Sequence, residues 1–188
     1  MTNLRRWIVC VCALLTAGEA QAQAGNRVYA AVGPWEIAAE PADKFCTMSR
    51  FYTTSQDGST EGLAVRFDAA KETVWLRWST TGSTPFFKDG EIDLFVNFFK
   101  DKSMDESWGS RTFRHGKLED TRYFVNVFNG PAGTRRILRD LAGNKLIGLN
   151  LGPVLLTALS LDAGDATETL RRCSTEIAGL PAAVSSPK

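Results

Sequence analysis

One histidine, His115, stands in a chain of 188 residues. That scarcity excludes a multi-histidine metal site and leaves a histidine-based triad a single position to use. The chain contains no G-x-S-x-G, no H-E-x-x-H and no P-loop. No cofactor or metal is therefore expected. Charge of one sign is also lacking, with 22 Lys and Arg against 21 Asp and Glu. Such a balance argues against nucleic acid or an anionic membrane surface as the main partner. Beyond the first two dozen residues no apolar run approaches the ~20 residues needed to span a bilayer. There is no internal repeat. Cysteine is sparse, at four, and two of these, Cys10 and Cys12, lie in the N-terminal apolar run.

That run has the layout of a secretory signal peptide over residues 1–24. Arg5 and Arg6 form its positive region, residues 7–18 are mostly apolar, and the small-residue signals Ala20-Gln21-Ala22 and Ala22-Gln23-Ala24 follow. Cleavage is expected after Ala22 or Ala24, which makes the chain periplasmic or secreted. About 164 residues remain, enough for one domain with a real core. We expect a single β-rich domain over residues 25–180 and a disordered tail over 181–188. Loss of Arg5, Arg6 and Glu19 leaves 20 basic and 20 acidic side chains. The remaining cysteines, Cys46 and Cys173, are an even count in an exported chain, which favours a disulfide. Their separation is 127 residues, and closing so long a loop removes ~4–5 kcal/mol of unfolded-chain entropy in the ideal treatment. The alternatives are two buried free thiols or a redox-active pair. The second lacks C-x-x-C spacing.

Alternation of apolar and polar residues predicts strands. Trp35, Ile37 and Ala39 alternate within 33–39, and residues 45–53 place Cys46, Met48 and Arg50 on one face. Gln56-Asp57-Gly58-Ser59 is a hairpin signal, followed by Leu63, Val65 and Phe67. Residues 72–79 set Val74, Leu76 and Trp78 against Trp75 and Arg77, and residues 91–99 alternate most clearly. Residues 100–107 read as a charged loop, 108–113 as a short edge strand, 114–116 as an exposed turn, and 122–128 as another strand. A helix is expected over 134–142, closed by Gly143, then strands over 146–151 and 154–161. Asp162 is expected to cap a last helix on which Ala166, Leu170, Cys173 and Ile177 form one apolar stripe. The expected architecture is mainly β: an antiparallel sandwich or partly open barrel of seven to nine strands, with a short internal helix and a C-terminal helix.

Chemistry is thinly marked. Glu91 and Asp93 share a strand face and can be imagined as paired carboxylates, although a solvated face explains them as well. Asp101, Asp105 and Glu106 lack the glycine and later glutamate of a calcium loop. Arg135, Arg136 and Arg139 make a basic edge on the short helix. Trp75, Arg77, Phe86, Phe87 and Trp108 form a candidate binding surface, since exposed aromatics serve as stacking platforms and hot spots. A second buried sheet face is the competing explanation of the same residues.

Two segments resemble the exported proteins of the invasion-associated locus B family. One runs from Gly33-Pro34-Trp35 through Ala39 to Cys46-Thr47-Met48. The other runs from Leu138-Arg139-Asp140-Leu141-Ala142-Gly143-Asn144 to Leu159-Ser160-Leu161-Asp162-Ala163 and Ala166. Together they cover about a third of the chain. The resemblance implies an exported protein that is not an enzyme. It would also place a cysteine near Ala39 for local pairing, where this chain offers Cys173 instead. The layout is further similar to lipocalins, with their Gly-x-Trp start and terminal helix. The leading expectation is a non-enzymatic exported β domain that binds a protein or cell-envelope partner. The alternatives are a lipocalin-like carrier of a small apolar ligand and a carbohydrate-active enzyme using Glu91 or Asp93.

Overall fold

A computed structural model describes residues 27–53, 58–82, 88–101 and 104–179. The expected signal peptide and tail lie outside these residues. Ten strands form one antiparallel sheet in the order β1-β2-β3-β4-β5-β8-β7-β6-β9-β10. They are β1 (Arg27–Val32), β2 (Trp35–Glu40), β3 (Phe45–Thr53), β4 (Thr60–Asp68), β5 (Thr73–Thr80), β6 (Gly90–Phe99), β7 (Met104–Leu118), β8 (Thr121–Asn129), β9 (Leu146–Leu151) and β10 (Val154–Ser160). Helix α1 (Gly130–Gly143) separates β8 from β9, and α2 (Gly164–Ala178) follows β10.

The sheet is not closed, because β1 and β10 remain its two edges. It curls until β10 faces β3 and β4. Tyr52 Oη donates to Ser160 O at 2.6 Å, Arg50 Nη1 to Ser160 O and Leu161 O at 3.2 Å each, and Thr157 Oγ1 to Glu61 at 2.5 Å. Trp35 Nε1 adds a buried bond to Leu161 O at 2.9 Å. A partly open barrel therefore describes the molecule. The concave side carries the core: Trp35, Trp78, Phe98, Phe113 and Phe124 are all fully buried and fill the interior. Close packing of this kind is the main favourable term of the fold.

Helix α2 covers the concave side of β1–β4 at one end of the curl and also packs on α1. The expected stripe faces inward, with Ala166, Leu170, Cys173 and Ile177 no more than 2% exposed. Cys173 is bonded to Cys46 with a Cα–Cα distance of 6.1 Å, inside the usual range. The helix that ends the fold is thus tied to its third strand.

Several expectations need correction. Strand β1 is additional: half of its residues are exposed and the others, Tyr29, Ala30 and Val32, are half-buried, so it carries little hydrophobic alternation and is paired along its length to β2. Strand β7 is no short edge. It runs for 15 residues between β8 and β6. Ser107–Ser110 opposes Phe95–Asn97 across one extra residue, and Gly109 adopts φ 64°. That bulge resets the alternation, so that Trp108 and Phe113 are both buried despite opposite parity. His115 consequently lies in the strand at 6% exposure and not in an exposed turn. Helix α1 starts four residues early, with proline in its first turn. It ends at Asn144, whose Nδ2 donates to Asp140 O at 2.8 Å, and Gly143 is not a left-handed cap. Asp162 adopts φ 42° and does not cap α2, whose first carbonyl, Ala163 O, accepts from Thr167 N at 2.8 Å.

Candidate docking surface

The convex face of β2–β5 and β8 is built by side chains left over from the core. The register lines up Ala38, Thr47, Arg66, Trp75 and Val127 in one row. Glu36, Ser49, Ala64, Arg77 and Val125 form the next, and Phe51, Gly62, Ser79 and Tyr123 the third. Trp75 is half-buried and Arg77 exposed. Together with Arg66, Phe51 and Glu40 they line a depression of about 520 Å³.

Arg66 is its centre. Its guanidinium lies 3.1 Å from the Phe45 ring centroid and 5.4 Å from that of Trp75. Aromatic faces attract a cation by their quadrupole. Arg66 Nε is buried and donates to no acceptor among the described residues. Beside it Phe51 is 72% exposed and lies over Gly62, where a Cβ would meet the ring at 3.3 Å. Thr47 Oγ1 donates to Glu40 Oε1 at 3.1 Å, which fixes the acidic rim.

Of the five surface residues expected from sequence, the structure brings together Trp75 and Arg77. Phe86 and Phe87 lie outside the described residues. Trp108 is elsewhere and buried, at 7% exposure. Its ring sits edge-on to Phe128, Arg136 stacks over it at 4.2 Å, and its Nε1 donates to Asp140 at 2.9 Å. Trp108 belongs to the core cluster with Phe128 and Val74, brought there by the β7 bulge. Phe51 and Arg66 were missed. Arg66 reads as an ordinary outward polar residue, and only the register places it between two rings.

The other candidates have local partners. Glu91 pairs with Arg114 at 3.5 Å, and Asp93 accepts from Thr112 Oγ1 at 2.7 Å, so both lie on a solvated strand face. Asp101 pairs with Lys145 at 3.0 Å. The side chains of Asp105 and Glu106 lie outside the described ones. Among the described residues no group of three or more His, Cys, Asp and Glu is placed to hold a metal ion. Among the described residues no helix is long and apolar enough to cross a membrane. His115 stacks on Phe124 with centroids 5.6 Å apart. Burial, and then the Arg122 charge, push its pKa below the ordinary value, with Asp89 opposing. No protein-family model, no curated protein and no solved structure matches the chain.

Proposed function

We propose that the chain is a non-enzymatic exported β domain, periplasmic or secreted, that docks a protein or cell-envelope partner on the convex face around Arg66. The observation that carries this reading is the guanidinium held over Phe45 and Trp75 beside the exposed Phe51 and Arg77. A rigid cation next to an exposed ring is the composition of an interface hot spot. The disulfide supports export, since such bonds persist in oxidising compartments. The packed interior supports docking over the carriage of a small apolar ligand, because five fully buried aromatic rings occupy the space a ligand would need.

The test is site-specific photo-crosslinking in intact cells. A photoreactive residue at Arg77 is expected to give a discrete adduct that is lost on Trp75→Ala or Arg66→Glu. The same residue at Lys117, far along β7, is expected to give none. Equal labelling from both positions would defeat the reading. So would steady turnover of a glycan or ester abolished by Glu91→Gln or Asp93→Asn.

A further inference from the structure

The basic residues of α1 border a cavity. Where α1 and α2 meet the β4–β5 turn lies a groove of about 840 Å³, well within the ~300–1,000 Å³ of ligand sites. Its floor is apolar, formed by Phe67, Leu138 and Pro131. Its rim carries Arg135, Arg136 and Arg139 from α1 and Arg171 from α2. Against these four cations stand Glu72 on the rim and Asp140 behind it. Asp140 engages Arg139 at 2.8 Å and Arg136 at 3.8 Å. Arg136 is further turned toward Trp108 and Ser107 O. Arg135 and Arg171 have no carboxylate partner among the described residues. The groove shares no lining residue with the depression around Arg66 and stands independently of the function proposed for that face.

We propose that this groove binds an extended acidic peptide segment of a partner protein, with carboxylates at alternate positions. The spacing supports it. Arg135 and Arg139 are one helical turn apart, a rise of about 6 Å. Side chains on one face of an extended chain recur about every 6.7 Å. Carboxylates at i and i+2 therefore meet Arg135 and, one turn on, Arg139, which already bridges Asp140 through Nε and Nη2 and shares its charge between the two carboxylates; arginine suits them because its planar fork pairs with carboxylate. The intervening side chains point the other way, onto Phe67 and Leu138. A flat layer of lipid headgroups does not reach that floor, which lies between a helix and a turn. A nucleic acid backbone, being a row of phosphates, gains nothing from an apolar floor.

The experiment titrates the purified protein with an acetylated, amidated hexapeptide of alternating aspartate and leucine, read by amide chemical shifts. Saturable shifts are expected in α1 and the β4–β5 turn. Arg135→Glu with Arg171→Glu should weaken binding at least about ten-fold, whereas Arg77→Glu should leave it unchanged. If the double variant does not fold, Arg135→Gln alone should weaken binding several-fold. Raising salt from about 0.05 to 0.5 M should also weaken it, because the Debye length shortens. A lysine–leucine peptide is expected not to bind, and an aspartate–serine peptide to bind more weakly. The proposal is overturned by equal binding of the lysine–leucine peptide, by binding indifferent to Arg135, or by shifts that map to the Arg66 face. It is equally overturned if phosphatidylglycerol vesicles bind with this arginine dependence while the peptide does not.

Discussion

At the scale of single residues, His115 is the clearest case of environment changing chemistry. It is the only histidine, and it lies under Phe124, which in turn stacks on Trp78 at 4.6 Å. Its folded pKa lies below its ordinary value of 6.5 because burial disfavours the charged form. The unfolded chain therefore binds the extra proton first. Stability is fully present above pH 6.5 and falls as pH drops below it, until the folded pKa is passed. Urea midpoints measured between pH 7.5 and 5 should decline in this way, and His115→Gln should flatten the His-dependent part of that slope. Tyr52 behaves oppositely. Burial pushes its pKa up to about 12 despite Arg50, and its hydroxyl donates to Ser160 O. A raised pKa leaves its contribution complete below pH 10 and removes it between pH 10 and 12. Tyr52→Phe should abolish that alkaline loss and cost about 1 kcal/mol at neutral pH, measured by denaturant unfolding.

Among elements, β7 determines how the two halves of the sheet join. Its bulge lets Trp108 reach Asp140 on α1 while Phe113 and His115 stay inside. Gly109 makes that possible through its φ of 64°, and a Cβ there would meet open space. Gly109→Ala should therefore cost only the backbone strain, about 1–2 kcal/mol, seen as a lowered urea midpoint with unchanged slope. The same bulge explains where sequence reasoning stopped. Trp35, Ile37 and Ala39, or Val74, Leu76 and Trp78, alternate without interruption, and those strands appear where periodicity places them. In β7 the alternation changes phase at Gly109, so a strand through the middle of the sheet reads as loop, short edge and turn. Strand β1 was illegible for another reason, since an exposed edge needs no alternation. The convex surface around Arg66 is half legible. Trp75 and Arg77 announce themselves on the polar side of a strong strand. Arg66 over Phe45 depends on a cross-strand register that no local pattern encodes.

For the whole molecule, the disulfide and the curl address the same weakness. A ten-strand sheet left open has its first and last strands unpaired with each other, and side-chain bonds, from Arg50 and Tyr52 to Ser160 O and from Thr157 to Glu61, hold β10 against β3 and β4. The Cys46–Cys173 bond joins β3 to α2, the element that follows β10. It thereby closes a loop of 127 residues that contains eight of the ten sheet strands from β3 onward. The constraint acts mainly on the unfolded chain, where closing such a loop is costly in entropy. Both sulfurs are fully buried, so replacing them also leaves a small space between helix and sheet. Cys46→Ala with Cys173→Ala should therefore lower unfolding free energy by about 2–5 kcal/mol. Amide exchange should show where the loss falls. Protection should drop most in α2 and at the β10 edge, and least in β4, β5 and β8, whose ladders do not depend on the clasp. A uniform loss across the sheet would mean that the bond stabilises the fold without fastening its last helix.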